Sequence, residues 1–207
     1  MVGEIIRLEE LDKEKIRKVA RYITEGKIAI IPTDTVYGLA TNPFIEASVK
    51  RIYEVKRRGK KPIPLLVSSV QKVEELAIVN SQAKVLMRRF WPGALTIILH
   101  KKPIVSSLIT ANEPTVGVRM PDHKIALAII EKAGAVVTGT SANISGESPP
   151  SSLSEISMDV LKQVDIVVDS GKSLGIPSTI IDLTKDPPVV LRKGALDTNL
   201  ILSVIKQ

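Results

Sequence analysis

The chain has 207 residues, 44% of them apolar and 25% charged, a balance that predicts a soluble globular fold with a substantial core and argues against disorder. It contains no cysteine, which excludes disulfides, zinc–thiolate centres and cysteine nucleophiles and makes a reducing cytoplasm the expected setting. Aromatic residues make up only 3%, which argues against base-stacking platforms, while a formal net charge of +7 favours anionic ligands.

Leu11 to Thr24 reads as an amphipathic helix with Ile16, Val19, Ala20 and Ile23 in phase and Gly26 as its stop. Lys27 to Ile31 is a short β-type run closed by Pro32. A second helix is expected from Ile45 to about Arg57, with Ile45, Val49, Ile52 and Tyr53 on one stripe. Three residues further along that stripe comes Lys56, so it should point inward, with Arg57 turned about 100° away. Ile63 to Val67 is expected as a strand. Val70 to Ala77 and Ser81 to Phe90 are expected as helices, the second capped by Ser81.

Trp91-Pro92-Gly93 breaks the chain before a strand from Ala94 to Leu99. Val116 to Arg119 is the next strand, and Asp122 is expected to cap an apolar helix running to Ala133. Ala135 to Thr138 forms a strand, and residues 145–154 a loop rich in Ser, Gly and Pro, with a helix then expected to about Val164. Asp165 to Asp169, Ser178 to Leu183 and Val189 to Arg192 complete the strands, and Asp197 opens a terminal helix. No internal repeat, signal-peptide pattern or run of about 18 apolar residues occurs, so one domain spanning residues 1–207, without a membrane segment, is expected.

Four of these strand-like runs end in polar clusters: PTDT at 32–35, RMPDH at 119–123, TGTSAN at 138–143 and RKG at 192–194. In α/β proteins, ligands bind beyond the carboxyl ends of strands, so four such endings predict one composite pocket. Within it, Thr33 and Thr35 flank Asp34, and Ser141 and Asn143 could hold a phosphate or carboxylate through side chains and backbone N–H groups. Arg119 has the fork geometry for a carboxylate, and Arg192 the same setting for a phosphate. Lys56 suits triphosphate charge. The remaining basic residues between Lys50 and Lys61 form a solvated face that could meet an RNA backbone. No GxGxxG, Walker-type loop, HExxH or GxSxG is present, and the two histidines, His100 and His123, lack the neighbours of a triad or metal site. Magnesium carried on substrate phosphates is the expected form of any metal, because it needs few protein ligands.

The segments PTDTVYGL at 32–39, WPG.LT at 91–96, VGVRMPDH at 116–123, TSAN at 140–143, STIIDL at 178–183 and LRKG at 191–194 resemble, in order, the YrdC-like threonylcarbamoyl-AMP synthases. The resemblance implies an α/β fold around a twisted, mainly parallel mixed sheet with flanking helices and a large basic concave cavity. It implies the joining of L-threonine, bicarbonate and ATP into threonylcarbamoyl-AMP with release of pyrophosphate. A separate transfer complex would then use the adenylate to modify the adenosine next to the anticodon of tRNA.

By motif, Thr35, Arg119 and Ser178 would contact threonine. Lys56, Arg58, Lys61, Thr115, Ser141, Asn143 and Arg192 would contact ATP, with Lys56, Arg58, Ser141 and Asn143 forming the family's Lys-x-Arg…Ser-x-Asn set. Between Lys56 and Pro62 the chain is one residue shorter than the family pattern, which leaves Arg57 or Arg58 for the arginine role. Leu66 occupies a position where some relatives have a histidine, and either Ser148 or Ser151 would supply an ATP-contacting serine. The alternative reading is a non-catalytic module binding double-stranded RNA or tRNA in the basic cavity. A carbamoyl-phosphate-handling maturation enzyme is excluded by the missing cysteines.

Overall fold

A computed structural model describes residues 2–57, 59 and 61–205. Eleven strands and seven helices follow in the order β1 (Glu4–Arg7), α1 (Lys13–Thr24), β2 (Ala29–Ile31), β3 (Gly38–Ala40), α2 (Glu46–Val55), β4 (Leu65–Val67), α3 (Val70–Leu76), α4 (Ser81–Phe90), β5 (Leu95–His100), β6 (Thr115–Arg119), α5 (Lys124–Lys132), β7 (Val136–Thr138), β8 (Thr140–Ser141), α6 (Met158–Leu161), β9 (Ile166–Asp169), β10 (Thr179–Asp182), β11 (Val189–Arg192) and α7 (Thr198–Ile205). The α/β class with mixed sheets and flanking helices is as expected. The sheet itself is not one mainly parallel layer. Two sheets form, ordered β1-β9-β2-β3-β8 and β11-β10-β5-β6-β4-β7. Among the described residues, five of the nine strand pairings are antiparallel.

Burial explains why the strands read as unbroken apolar runs. Ile28 and Ile30 point into a core shared with Leu65, Leu95, Ile97 and Val118 of the six-stranded sheet. Ala29 and Ile31 point the other way, against Ile16, Val19 and Ile23 of α1 and Ile125, Ile129 and Ile130 of α5. A strand buried on both faces shows no alternation.

Local chemistry sets the helix ends. Asp12 Oδ1 accepts from the backbone N–H groups of Glu14 and Lys15 at 3.0 and 3.1 Å, and the chain leaves α1 through Gly26 at φ +81°. Two expected caps are displaced by one residue. Asn80 rather than Ser81 caps α4, its Oδ1 2.8 Å from Ala83 N, and His123 rather than Asp122 caps α5, its Nδ1 3.3 Å from Ala126 N. In both cases the side chain that reaches the third N–H wins the position. The helix expected up to Val164 is split, because Ile156 and Ser157 are extended between a 3-10 turn at Leu153–Glu155 and the single turn of α6.

Candidate active site

The TGTSAN segment is the point where the chain crosses between sheets. Val136–Thr138 ends in the six-stranded sheet and Thr140–Ser141 pairs with β3 in the five-stranded one. Gly139 makes the crossing, with its N–H donating to Pro64 O at 2.7 Å. A Cβ there would lie 2.4 Å from Leu66 Cγ, so only glycine fits.

Beside this crossing lies a cavity of about 350 Å³ whose wall includes Thr35, Thr96, Arg119, Ser141, Ser178 and Arg192. Among the described residues, no acidic side chain lies on that wall. Pro62, Pro64, Pro149 and Pro177 also line it.

Four of these residues come from adjacent strands. Arg192 ends β11, Ser178 precedes β10, Thr96 stands on β5 and Arg119 ends β6, in the order of the sheet. Arg192 donates through Nε to Ser178 O at 2.9 Å and through Nη2 to Ser178 Oγ at 3.2 Å. Ser178 Oγ in turn lies 2.8 Å from Thr96 Oγ1. This close packing of the LRKG segment on Ser178 requires Gly194, where a Cβ would meet Pro177 O at 2.3 Å.

Arg119 is buried, and every nitrogen of its fork has a partner. Nε donates to Gly93 O at 2.9 Å and Nη1 to Thr35 Oγ1 at 2.8 Å, while Nη2 is ion-paired with Asp34. Asp34 also accepts from Asp122 N at 3.1 Å, and Thr33 Oγ1 supports Thr35 Oγ1 at 3.1 Å. Burial pushes the Arg119 pKa below the usual arginine value, Asp34 opposes that shift, and Arg192 adds to it. Arg192 stands at the cavity mouth, open to solvent on one side. The shelter on its other side lowers its pKa too, and no acid among the described residues pairs with it. Arg192 is therefore the cavity's available positive charge, whereas Arg119 is a neutralised and rigidly aimed donor.

The family model Sua5_yciO_yrdC, described as telomere recombination, matches residues 21–194. The chain belongs to the Sua5/YciO/YrdC family. It is 42% identical over 95% of its length to the threonylcarbamoyl-AMP synthase of Pyrococcus abyssi, spanning 59% of that protein. A Methanocaldococcus jannaschii relative provisionally given the same name is 40% identical over 94% of this chain and 94% of its own. The crystal structure of P. abyssi Sua5 complexed with L-threonine superposes with a TM-score of 0.94 at 41% identity, over 99% of this chain and 61% of that one. The chain thus spans about three-fifths of the length of its P. abyssi relative.

Of the residues expected to act in a Sua5/YciO/YrdC site, Thr35, Arg119, Ser141, Ser178 and Arg192 converge on the cavity. Lys56 is turned inward as its helix phase requires and is buried at the C-cap of α2. It lies behind the wall, however: Nζ donates to Ser141 O at 2.6 Å, Asn143 O at 2.8 Å and Asn143 Oδ1 at 3.3 Å. Asn143 directs its Nδ2 to Ile144 O and Glu147 O at 3.0 and 2.7 Å, so its amide braces the loop. Neighbouring backbone N–H groups of the loop bond within the protein, Ala142 N to Tyr37 O, Ile144 N to Glu147 and Ser145 N to Lys56 O.

Thr115 pairs with His100 at the far end of β6, about 13 Å from Arg119 at the usual strand rise. Lys61 is exposed beside the Pro62–Pro64 wall. Arg58 lies outside the described residues. Arg57 points away from the cavity and pairs with Asp159 at 2.7 Å. Of the two loop serines, Ser148 is exposed next to Pro149 and Ser151 is buried, bonded to Glu155 at 2.9 and 3.0 Å.

Two residues that sequence reasoning left without a role belong to the site. Asp34 holds Arg119, and Thr96 holds Ser178. The available signal for Thr96 was a lone hydroxyl inside the apolar strand LTIIL.

Proposed function

We propose that this chain is a nucleotidyltransferase that makes threonylcarbamoyl-AMP and pyrophosphate from L-threonine, bicarbonate and ATP. The observation that carries the reading is the row Arg119, Thr96, Ser178, Arg192 on a cavity wall without an acid, which suits a ligand with two separated anionic groups. The names of the P. abyssi and M. jannaschii relatives and the L-threonine in the P. abyssi structure support it.

In this reading the threonine carboxylate lies toward Arg119, with Thr35 and Ser178 beside it. The amine attacks the bicarbonate carbon, a water leaves, and the resulting carbamate oxygen attacks the α-phosphorus in line while the bond to pyrophosphate breaks. No histidine or cysteine is needed, because placing the carbamate against ATP and neutralising the phosphates supplies the acceleration. Arg192 and Ser141 face the nucleotide. Lys56, Arg58 and Lys61 add positive charge to that side, Asn143 shapes its loop, and Thr115 lies toward the base along β6. Magnesium arrives with ATP: among the described residues no group of three or more His, Cys, Asp or Glu could hold an ion, and phosphate oxygens satisfy most of its sites.

We further propose that residues 1–207 work as one domain in the cytoplasm and hand the adenylate to a transfer complex acting on tRNA. Among the described residues no helix is long and apolar enough to cross a membrane. Any tRNA contact falls on exposed lysines such as Lys50, because Arg51 and Arg57 are paired with Asp165 and Asp159. Nothing in the site favours RNA binding without catalysis. The test is pyrophosphate release, expected only when threonine, bicarbonate and MgATP are all present. Release independent of threonine would overturn the reading.

A further inference from the structure

We propose that Thr96 is a positioning residue that fixes the Ser178 hydroxyl as a hydrogen-bond donor into the cavity, toward an anionic oxygen of the amino-acid substrate; the assignment of that ligand rests on the function proposed above. The Arg192 guanidinium can only donate, and its Nη2 lies 3.2 Å from Ser178 Oγ, which occupies one lone pair. Thr96 Oγ1 lies 2.8 Å from the same oxygen, and either hydroxyl could donate across that contact. Thr96 is buried, and Ser178 is the one hydrogen-bond partner of its hydroxyl among the described residues.

If Ser178 donated to Thr96, its proton would be turned toward Thr96 and one of its lone pairs would stay unfilled. If Thr96 donates to Ser178, both lone pairs of Ser178 are filled, one by Thr96 and one by Arg192. The Ser178 proton then has one direction left, into the cavity that both residues line. Strand order adds a second reason. Thr96 is paired with Ile180 of β10, and the neighbouring Ile97–Val118 pair brings Thr96 opposite Arg119. Thr96 thus stands between Ser178 and Arg119 on the wall. Gly117 leaves room for it, since a Cβ there would already touch Thr96 Cγ2 at 3.4 Å.

The test compares Thr96→Val, which keeps the shape and removes the donor, with Thr96→Ser, which keeps the donor. T96V should raise the KM for threonine about tenfold, the usual loss for a hydrogen bond to a charged group, with kcat and the KM for ATP changed less than twofold. T96S should restore the wild-type KM. Ser178→Ala should reproduce the T96V shift, and the double variant should be no worse than S178A alone. An unchanged KM in T96V, a T96S as impaired as T96V, or additive effects in the double variant would each overturn the assignment. A purely structural role predicts equal losses in all kinetic constants. If the wild type released no pyrophosphate with threonine, the proposed reaction would fail instead. The assignment would then stand or fall on calorimetric threonine binding: T96S tighter than T96V supports it, and equal affinity or no binding rejects it.

Discussion

Arg119 Nη1 donates to Thr35 Oγ1 at 2.8 Å, a bond between the end of β6 and the PTDT turn that joins the two sheets at the cavity floor. Since Asp34 and Gly93 O take the other two nitrogens, the guanidinium is held from three directions. Arg119→Lys keeps the charge but can satisfy only part of that arrangement. We expect it to fold and to lose about a hundredfold in kcat/KM for threonine, roughly 2.7 kcal/mol of transition-state stabilisation. Arg119→Ala should abolish threonine-dependent pyrophosphate release and spare tRNA binding. Steady-state kinetics and a binding titration check both.

Lys56 is expected to matter for stability as well as for charge. Lys56→Met leaves two backbone carbonyls and the Asn143 side-chain oxygen without their shared donor. Leaving buried acceptors unpaired costs about 1–3 kcal/mol. Urea unfolding should show a lower midpoint with an unchanged slope, and proteolysis should be faster in the 141–147 loop.

Gly139→Ala should be destabilising by about 1–3 kcal/mol, the usual range for overpacking, because the added methyl meets Leu66 Cγ at 2.4 Å. The paired change Leu66→Ala should recover part of that loss by removing the clash. A thermal-melt double-mutant cycle reads the coupling directly, and independent, additive losses would contradict the packing argument.

Burial lowers the pKa of His123 below its ordinary value, with Asp34 and Asp122 opposing the shift less strongly. The unfolded chain therefore binds the proton more readily than the folded one. The associated stability is fully present above the unfolded value near 6.5 and is lost as pH falls toward the lower folded value. A protonated Nδ1 also cannot accept from Ala126 N, so the α5 cap weakens with it. His123→Asn keeps a capping oxygen and removes the titration. Its unfolding free energy should vary less than that of the wild type below pH 6.5, as followed by denaturant titrations across that range.

Much of this organisation was legible in the residues themselves. Ile16, Val19, Ala20 and Ile23 announce α1, and the phase of α2 places Lys56 inward while Arg57 faces an acid at the surface. The polar ends of four apolar runs point to a shared pocket, and Arg119, Ser178 and Arg192 do meet there. The short strands Glu4–Arg7, Gly38–Ala40 and Thr140–Ser141 carry too little apolar pattern to declare themselves. Their pairing is fixed by tertiary contacts, and so is the division into two sheets. Lys56 looks from sequence like a cation aimed at phosphate, and only three-dimensional placement reveals the carbonyls that hold it. Asp34 reads as a turn residue until β6 brings Arg119 to it.

The most direct test of the account is incubation with ¹³C-bicarbonate, L-threonine and MgATP, followed by mass spectrometry of the adenylates formed. The expected product is an adenylate that carries one threonine and one ¹³C atom, formed with an equal amount of pyrophosphate and missing in Arg119→Ala. Unlabelled AMP alone, or a labelled adenylate made equally well by Arg119→Ala, would contradict it.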